Sequence, residues 1–449
     1  MEKALKILHA NFDEMIKTIQ KVISFDTVRK APDGIYPFGK TTAECLDYVL
    51  ALAKKMGAGD IVNCDYYAGH ADFGEGDEVV GILGHLDVVP VSDHGWIYPP
   101  FSGTVADGRI YGRGAIDDKG PAICCLYVVK ALMDSGFRPG KKIRLIFGCD
   151  EEMGSSCIAH YKTKIKMPDI GFTPDGEFPC LNGEKGLFQP TVDFGKLPDE
   201  VLDIRAGDRV NIVPDLCTAK LTPDADISAL EGTDYVTVER LPDRILLTAK
   251  GISCHGSTPE QGDNATWKMV RALHVLYPEN ETLGFLFDKM ITDTDGTTWG
   301  LPLRDEQSGK ISISMNVLRL TEEKHLAAGI DMRFPVTYTV EQVKKAVEDN
   351  SPSFMKFISI SSNHPLYVPA DSFLVTTLLD AYNSVTGEKA KPKVIGGGTY
   401  AKSMDNCVAF GPEFEGDEQT MHQTNEYISL ERLRQMADIY LKAIYTLAK

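Results

Sequence analysis

A histidine and an aspartate stand two positions apart at the end of an apolar run, Gly81-Ile-Leu-Gly-His-Leu-Asp-Val88. In an extended strand alternate side chains share a face, so His85 and Asp87 can enter one pocket while Leu86 and Val88 anchor the strand in the core. More acids and a second histidine follow: Asp117-Asp118, Asp150-Glu151-Glu152, Asp175 and, far downstream, His422. Two histidines and at least three carboxylates, with no cysteine in these motifs, make a nitrogen and oxygen donor set suited to Zn²⁺, Mn²⁺ or Co²⁺. A single catalytic zinc takes about three protein ligands, so the surplus acids favour two metals with a shared bridging carboxylate. Each motif alone has a plainer reading. Asp150-Glu-Glu after a strand is the usual solvated start of a helix, Asp117-Asp118-Lys119 could cap one, and His422 alone is uninformative. Their co-occurrence at strand ends is what argues for chemistry.

The elements that must position these residues alternate between helix and strand. Leu5, Leu8, Phe12, Ile16, Ile19 and Val22 recur at helical spacing over residues 1–25, and residues 42–56 repeat the pattern. Strands are expected at 79–83 and 142–147 with a helix at 121–135 between them, an α/β arrangement. The His85-Asp87 and Asp150-Glu152 motifs then fall just past carboxyl strand ends, the edge where open α/β sheets place ligands. Beyond about residue 187 the texture changes. Short alternating strands at 235–238 and 244–249 precede a helix at 264–276, and strands at 311–320 and 327–334 precede a helix at 340–349. This predicts an inserted α+β lid domain of two strand-and-helix subunits over 187–363, with 1–186 and 364–449 forming the metal-binding domain. The latter closes with helices at 372–386 and 430–447.

Composition narrows the function classes. The chain has 449 residues, 43% hydrophobic and 25% charged, with a formal charge of −17. That charge repels phosphate backbones and anionic headgroups, so nucleic-acid and membrane-surface partners are disfavoured. No apolar run reaches the length of a membrane span, and the amphipathic first 25 residues do not resemble a signal peptide, which points to the cytoplasm. The 10 cysteines are scattered, as reduced core residues are. Cys254 and His255 are neighbours on a strand and face opposite ways, which argues against a thiol dyad. Asp293-Thr-Asp-Gly296 lacks the repeated acids of a calcium loop, and the Asn264 and Asn280 sequons carry little weight without secretion.

Taken together, Gly84-His-Leu-Asp87, Gly112-Arg-Gly-Ala-Ile-Asp-Asp-Lys-Gly-Pro121, Asp150-Glu-Glu152, Pro174-Asp-Gly-Glu-Phe-Pro179, Gly207-Asp-Arg-Val-Asn-Ile-Val-Pro214, His255-Gly-Ser and Met421-His422 carry a family resemblance. The chain resembles the co-catalytic metallopeptidases that include aminoacylase, carnosinase and carboxypeptidase G, and within them the bacterial PepV-type and Sapep-type dipeptidases. The resemblance implies a zinc-exopeptidase-like α/β/α catalytic domain with the lid inserted. It implies that His85 and Asp175 hold one metal, Glu152 and His422 the other, and that Asp117 bridges them through a cis Asp117-Asp118 peptide. Asp87 would orient the His85 imidazole, and Glu151 would be the general base. From the lid, His255 would donate to the oxyanion, while Asn211 and Arg333 would bind substrate, Arg333 at its carboxylate. An exposed Arg333 on a strand, paired with a neighbouring acid, is the plainer alternative.

Gly396-Gly-Gly-Thr-Tyr400 lacks the Gly-Lys-Ser/Thr of a phosphate loop. Backbone N–H groups at Gly397, Gly398 and Thr399 could instead meet a substrate carboxylate, or the glycines could form only a turn. The expected activity is hydrolysis of short unacylated peptides by a metal-bridging hydroxide, with two divalent ions, Zn²⁺ foremost and Mn²⁺ or Co²⁺ as alternatives. An N-acyl amino acid deacylase of the desuccinylase kind uses the same water chemistry and stays open. So does a non-catalytic peptide- or metal-binding relative, although Glu151 would then have no task. The enlarged lid implies a monomer.

Overall fold

Val79–His85, buried at every position but the first, is the strand that carries the Gly-His-Leu-Asp motif. Such continuous burial belongs to a central parallel strand covered on both faces. Its parallel neighbours are Lys142–Gly148 and Ile170–Thr173. In the computed structural model, which describes residues 1–449, the sheet order is Asp60–Cys64, Ala68–Phe73, Lys142–Gly148, Val79–His85, Ile170–Thr173, Cys407–Ala409 and Leu181–Glu184. The four central strands are parallel, and the outer ones are antiparallel.

Both faces of this sheet are covered, which gives three layers. On one face Gly84 lies against Ala122 of the helix Lys119–Asp134, and Gly69 against Leu46 and Leu50 of the helix Lys40–Lys55. On the other, Gly148 faces Tyr400 and Cys157, the latter in the helix Ser156–Lys162. The helix Lys119–Asp134 is buried nearly all round, because the helices Glu2–Ala10, Phe12–Ile23 and Leu430–Leu447 pack on it as well. The expected single helix over 1–25 is two helices that break at Asn11. There the side-chain amide donates to the Ile7 carbonyl at 2.9 Å, so a local side-chain bond competes with helix continuation.

The chain divides into two compact units, Met1–Asn182 with Val368–Lys393 and Gly398–Lys449, and Gly183–Tyr367 with Val394–Gly397. The second unit is built on an antiparallel eight-stranded sheet in the order Thr237–Arg240, Ile245–Lys250, Leu216–Leu221, Val201–Ala206, Ser312–Leu320, His325–Phe334, Gly186–Lys196 and Lys356–Asn363. Strands from both expected strand-and-helix sets enter this one sheet. The strand Gly186–Lys196 lodges between His325–Phe334 and the edge strand Lys356–Asn363. It alternates buried and half-buried residues, as a strand with one face on a core must. The helices Ala265–Leu276, Glu281–Lys289 and Val340–Asp349 pack on the sheet, and Trp299 is among the largest side chains in its core. All cysteines are free, and all but Cys254 are buried.

Candidate metal centre

Three adjacent parallel strands deliver acids and a histidine to one sheet edge. His85 ends its strand, Asp150-Glu151-Glu152 follow the strand that closes at Gly148, and Asp175 follows the one that closes at Thr173. This is where α/β sheets expose their ligand groups. Asp117 comes from the loop before the helix Lys119–Asp134, and its peptide bond to Asp118 is cis, as the family resemblance implies. His422 comes from the loop before the last strand and has positive φ.

One carboxylate sits between two imidazoles. Asp117 Oδ1 is 3.0 Å from His85 Nε2, and Asp117 Oδ2 is 2.8 Å from His422 Nε2. Asp175 Oδ2 lies 3.8 Å from His85 Nε2, and Glu152 Oε2 lies 3.1 Å from His422 Nε2. Glu152 Oε1 is buried without a hydrogen-bond partner, which leaves an acceptor for another ligand. Glu151, Asp175 and His85 present donor atoms within 4.8 Å of one another, as do His85, Asp117 and Glu152.

Packing four carboxylates this closely has an electrostatic cost that shows in their acidities. Burial, with Asp117 next, pushes Asp175 up to about 7. Burial and the Asp175 charge push Glu151 well above the usual carboxylate range. Burial also raises Glu152, against the pull of its His422 hydrogen bond. Hydrogen bonds to Asp117 and Glu152 lift His422 to about 10. The His85 imidazole is lifted too: burial opposes its charge, but Asp117 and Asp87 outweigh burial. The donor set fits two divalent cations. Four carboxylates and two imidazoles match the oxygen and nitrogen preference of Zn²⁺ or Mn²⁺, and the charge of two such ions would balance the four acids.

Asp87 has a wider positioning role than its spacing from His85 suggests. Its carboxylate accepts from the backbone N–H of Glu151 at 3.0 Å and of Glu152 at 3.1 Å. The nearest contact of His85 Nδ1 is the Asp87 backbone carbonyl at 3.0 Å, with the carboxylate at 3.5 Å. Asp118 holds the backbone at His85 instead, its Oδ2 accepting from the His85 N–H at 3.1 Å. A Cβ at position 84 would lie 2.8 Å from that oxygen, so the glycine is what permits the approach.

Sequence reasoning missed Glu426. Its carboxylate is fully buried and accepts from the backbone N–H groups of Gly114, Ile116 and Asp117 at 2.9, 3.1 and 3.3 Å, and from Arg113 Nη1 at 2.6 Å. Arg113 Nη2 in turn donates to the His422 carbonyl at 3.3 Å. Glu426 and Arg113 therefore tie the Asp117 loop to the His422 loop. The available signal was an acid four residues after His422, which is weak without its partners.

The remaining expected residues lie in or beside the second unit. His255 is exposed, in a short strand paired at Ile212, with Nδ1 2.6 Å from Ser257 Oγ. Partial desolvation of the ring and the Arg333 charge lower its pKa. The Asn211 carbonyl accepts from the Gly256 N–H at 2.8 Å, beside that histidine. Arg333 is buried, with Nε and Nη2 donating to Asp331 and Nη1 donating to the Gly396 carbonyl at 3.0 Å. It thus has the acidic neighbour of the plainer alternative, but is buried where that alternative had it exposed. Three of the five guanidinium N–H groups are used, so two are left for another acceptor. The glycine loop straddles the division, with Gly397 in the second unit and Gly398 and Thr399 in the first. Thr399 accepts from the Ala401 N–H and so caps the 3₁₀ turn Tyr400–Ser403.

Residues 81–446, which enclose every one of the expected metal ligands, match the model of peptidase family M20/M25/M40. The chain belongs to this family. This M20 peptidase is 35% identical over 430 residues to "Putative dipeptidase YtjP" of Bacillus subtilis strain 168, with 92% of each chain covered. Among solved structures, human carnosine dipeptidase 1 shares its fold with a TM-score of 0.58 and 17% identity, covering 100% of this chain and 98% of that one. Aminoacylhistidine dipeptidase from Vibrio alginolyticus does so with a TM-score of 0.59 and 15% identity, covering 96% of both. The protein is a peptide-bond hydrolase with the mixed α/β architecture of these M20 structures.

Proposed function

We propose that this M20 peptidase is a dipeptidase that works with two divalent metal ions, Zn²⁺ foremost, with Mn²⁺ and Co²⁺ as alternatives. The observation that carries the reading is the Asp117 carboxylate, which sets one oxygen beside each of two imidazoles. His85 and Asp175 would hold one ion, Glu152 and His422 the other, and Asp117 would serve both. Such a pair, when bound, lowers the pKa of a water molecule and polarises the scissile carbonyl.

Glu151 takes a proton from the attacking water and returns it to the leaving amine. Burial, and next the Asp175 charge, raise its pKa, which makes it a stronger proton acceptor than a free carboxylate. Asp87 keeps Glu151 and Glu152 in place through their backbone N–H groups. From the second unit, His255 donates to the oxyanion, and Arg333 and Asn211 bind the substrate, Arg333 at the C-terminal carboxylate with the two N–H groups that Asp331 and Gly396 leave over. The glycine loop at Gly397, Gly398 and Thr399 adds backbone donors for that carboxylate. The length of the inserted second unit supports the monomer as the active form, and light scattering that finds only a dimer at low concentration would overturn this point.

The relatives' dipeptidase names support unacylated dipeptides as substrates. The test is to strip metal, reconstitute with Zn²⁺, Mn²⁺ or Co²⁺, and assay free dipeptides beside N-acyl amino acids. Metal-dependent cleavage of the free dipeptides is expected. Cleavage of the acylated compounds alone would assign a deacylase, and full activity without metal would remove the two-ion reading.

A further inference from the structure

The two histidines of the metal centre are supported very differently. His85 ends a central strand and is fully buried, whereas the His422 side chain is 51% exposed on a loop. The His422 ring meets Asp117 and Glu152 through Nε2, so where that nitrogen sits follows from the course of the loop. Residues 421–426 lie in neither helix nor strand, and no ladder of backbone hydrogen bonds sets that course. His422 at φ 61° and Asn425 at φ 67° both have left-handed backbone, a sparsely populated conformation that persists only where the surroundings hold it.

Glu426 and Arg113 hold one side of this loop. Asn425 holds another. Its Oδ1 accepts from the Ile97 N–H at 2.7 Å, and its Nδ2 donates to the Gly95 carbonyl at 3.0 Å. One short side chain thus satisfies a backbone donor and a backbone acceptor, and asparagine combines both capacities with tolerance of left-handed backbone. The segment it grips continues from the His85-Leu86-Asp87 motif, so the contact joins the chain beyond one histidine to the chain beyond the other. A second contact closes the circuit. The Arg113 guanidinium, which donates to the His422 carbonyl, lies 5.4 Å from the centre of the Trp96 ring, and Trp96 stands between the two residues that Asn425 binds. The loops also approach closely at Gly95, where a Cβ would lie 3.4 Å from Thr424 Cγ2.

We propose that Asn425 is a positioning residue for one ion of the pair: by latching the His422 loop to Gly95 and Ile97 it sets the imidazole that holds the ion shared with Glu152. The inference rests on the two-ion reading above. Residues one step removed from a metal ligand typically change metal affinity by about 10- to 100-fold when they are lost. The effect should be selective. His85 is fixed by its strand and by Asp87 and Asp118, none of which the latch touches, so the ion at His85 and Asp175 should be spared.

The experiment titrates Co²⁺ into the metal-free wild type, Asn425→Gly, Asn425→Asp and His422→Ala, reading affinities by calorimetry and each ion by its absorption spectrum. Glycine adopts φ 67° without strain, so Asn425→Gly deletes the amide and leaves the backbone free to keep its course. Asn425→Asp keeps the acceptor for Ile97 but sets a carboxylate oxygen against the Gly95 carbonyl. The wild type should bind two ions. Asn425→Gly should keep one at wild-type affinity and weaken the other by about 10- to 100-fold, Asn425→Asp should weaken the same one, and its absorption should be the signature that His422→Ala loses. Two ions at wild-type affinity in Asn425→Gly, or equal weakening of both, would overturn the latch and leave the two-ion reading standing. A wild type that binds a single ion would overturn both.

Discussion

Replacing Glu151 by Gln leaves the carboxylates of Asp117, Glu152 and Asp175 in place and removes only the group assigned to move the proton. Turnover should fall by about 10²- to 10⁴-fold while bound metal, measured by elemental analysis, stays at the wild-type level. Retained activity would return Glu151 to a ligand or packing role. The same cluster makes metal uptake depend on pH. His422, lifted to about 10 by Asp117 and Glu152, carries its proton through neutral pH in the metal-free protein, and Asp175, raised to about 7 chiefly by burial, is partly protonated. Cations must displace these protons, so affinity rises with pH through the neutral range. Calorimetry in buffers of different ionisation enthalpy should register proton release on binding, and a Kd that does not change from about pH 6 to about pH 8 would contradict the linkage. Glu426→Ala should cost about 3–5 kcal/mol in urea unfolding, since it strands the buried Arg113 guanidinium, and should lower metal occupancy. Wild-type stability together with full occupancy would deny Glu426 its anchoring role. His85 and Glu151 were legible because their types recur with meaningful spacing. Glu426 was not, because it acts through backbone N–H groups that leave no mark on the residues it holds. Asp331 as the partner of Arg333 was legible, since residues two apart on a strand share a face.

At the scale of elements, the strand Lys142–Gly148 meets the 3₁₀ turn Tyr400–Ser403 through a missing side chain. A Cβ at Gly148 would fall 1.9 Å from Tyr400 Oη, so Gly148→Ala should destabilise the fold by about 1–3 kcal/mol. In a Tyr400→Phe background the cost should shrink, because the obstructing oxygen is gone, and chemical denaturation of the four proteins of this cycle measures the difference. Equal costs in both backgrounds would place the strain elsewhere. The helices at 264–276, 340–349 and 430–447 were readable from periodicity alone, and the structure returns Ala265–Leu276, Val340–Asp349 and Leu430–Leu447. The strand Ala68–Phe73 was not readable. Ala-Gly-His-Ala-Asp-Phe has no β-branched residue, and its polar His70 and Asp72 are buried with the rest, so its conformation is imposed by the neighbours it pairs with. Lys356–Asn363 escaped as well, an almost wholly exposed edge strand on which even Ile358 and Ile360 face solvent.

For the whole molecule, each unit has its own hydrophobic core, whereas the five proposed metal ligands all belong to the first. Metal should therefore stabilise one unit directly, by about 2.7 kcal/mol when free metal is 100 times Kd. Scanning calorimetry should resolve two transitions, of which chelation lowers one, and a uniform shift of a single transition would mean that the units unfold together. The tie between the Asp117 loop and the His422 loop also bears on how the protein is made. Asp117 and the Glu426 carboxylate that accepts from its backbone are 309 residues apart in the chain, with the whole second unit encoded between them. A ribosome needs roughly 15–60 s to cover that distance at about 5–20 residues per second. For all that time the nascent chain lacks both His422 and the anchor of Asp117, so a centre that uses the two would be completed only when nearly all of the 449 residues exist.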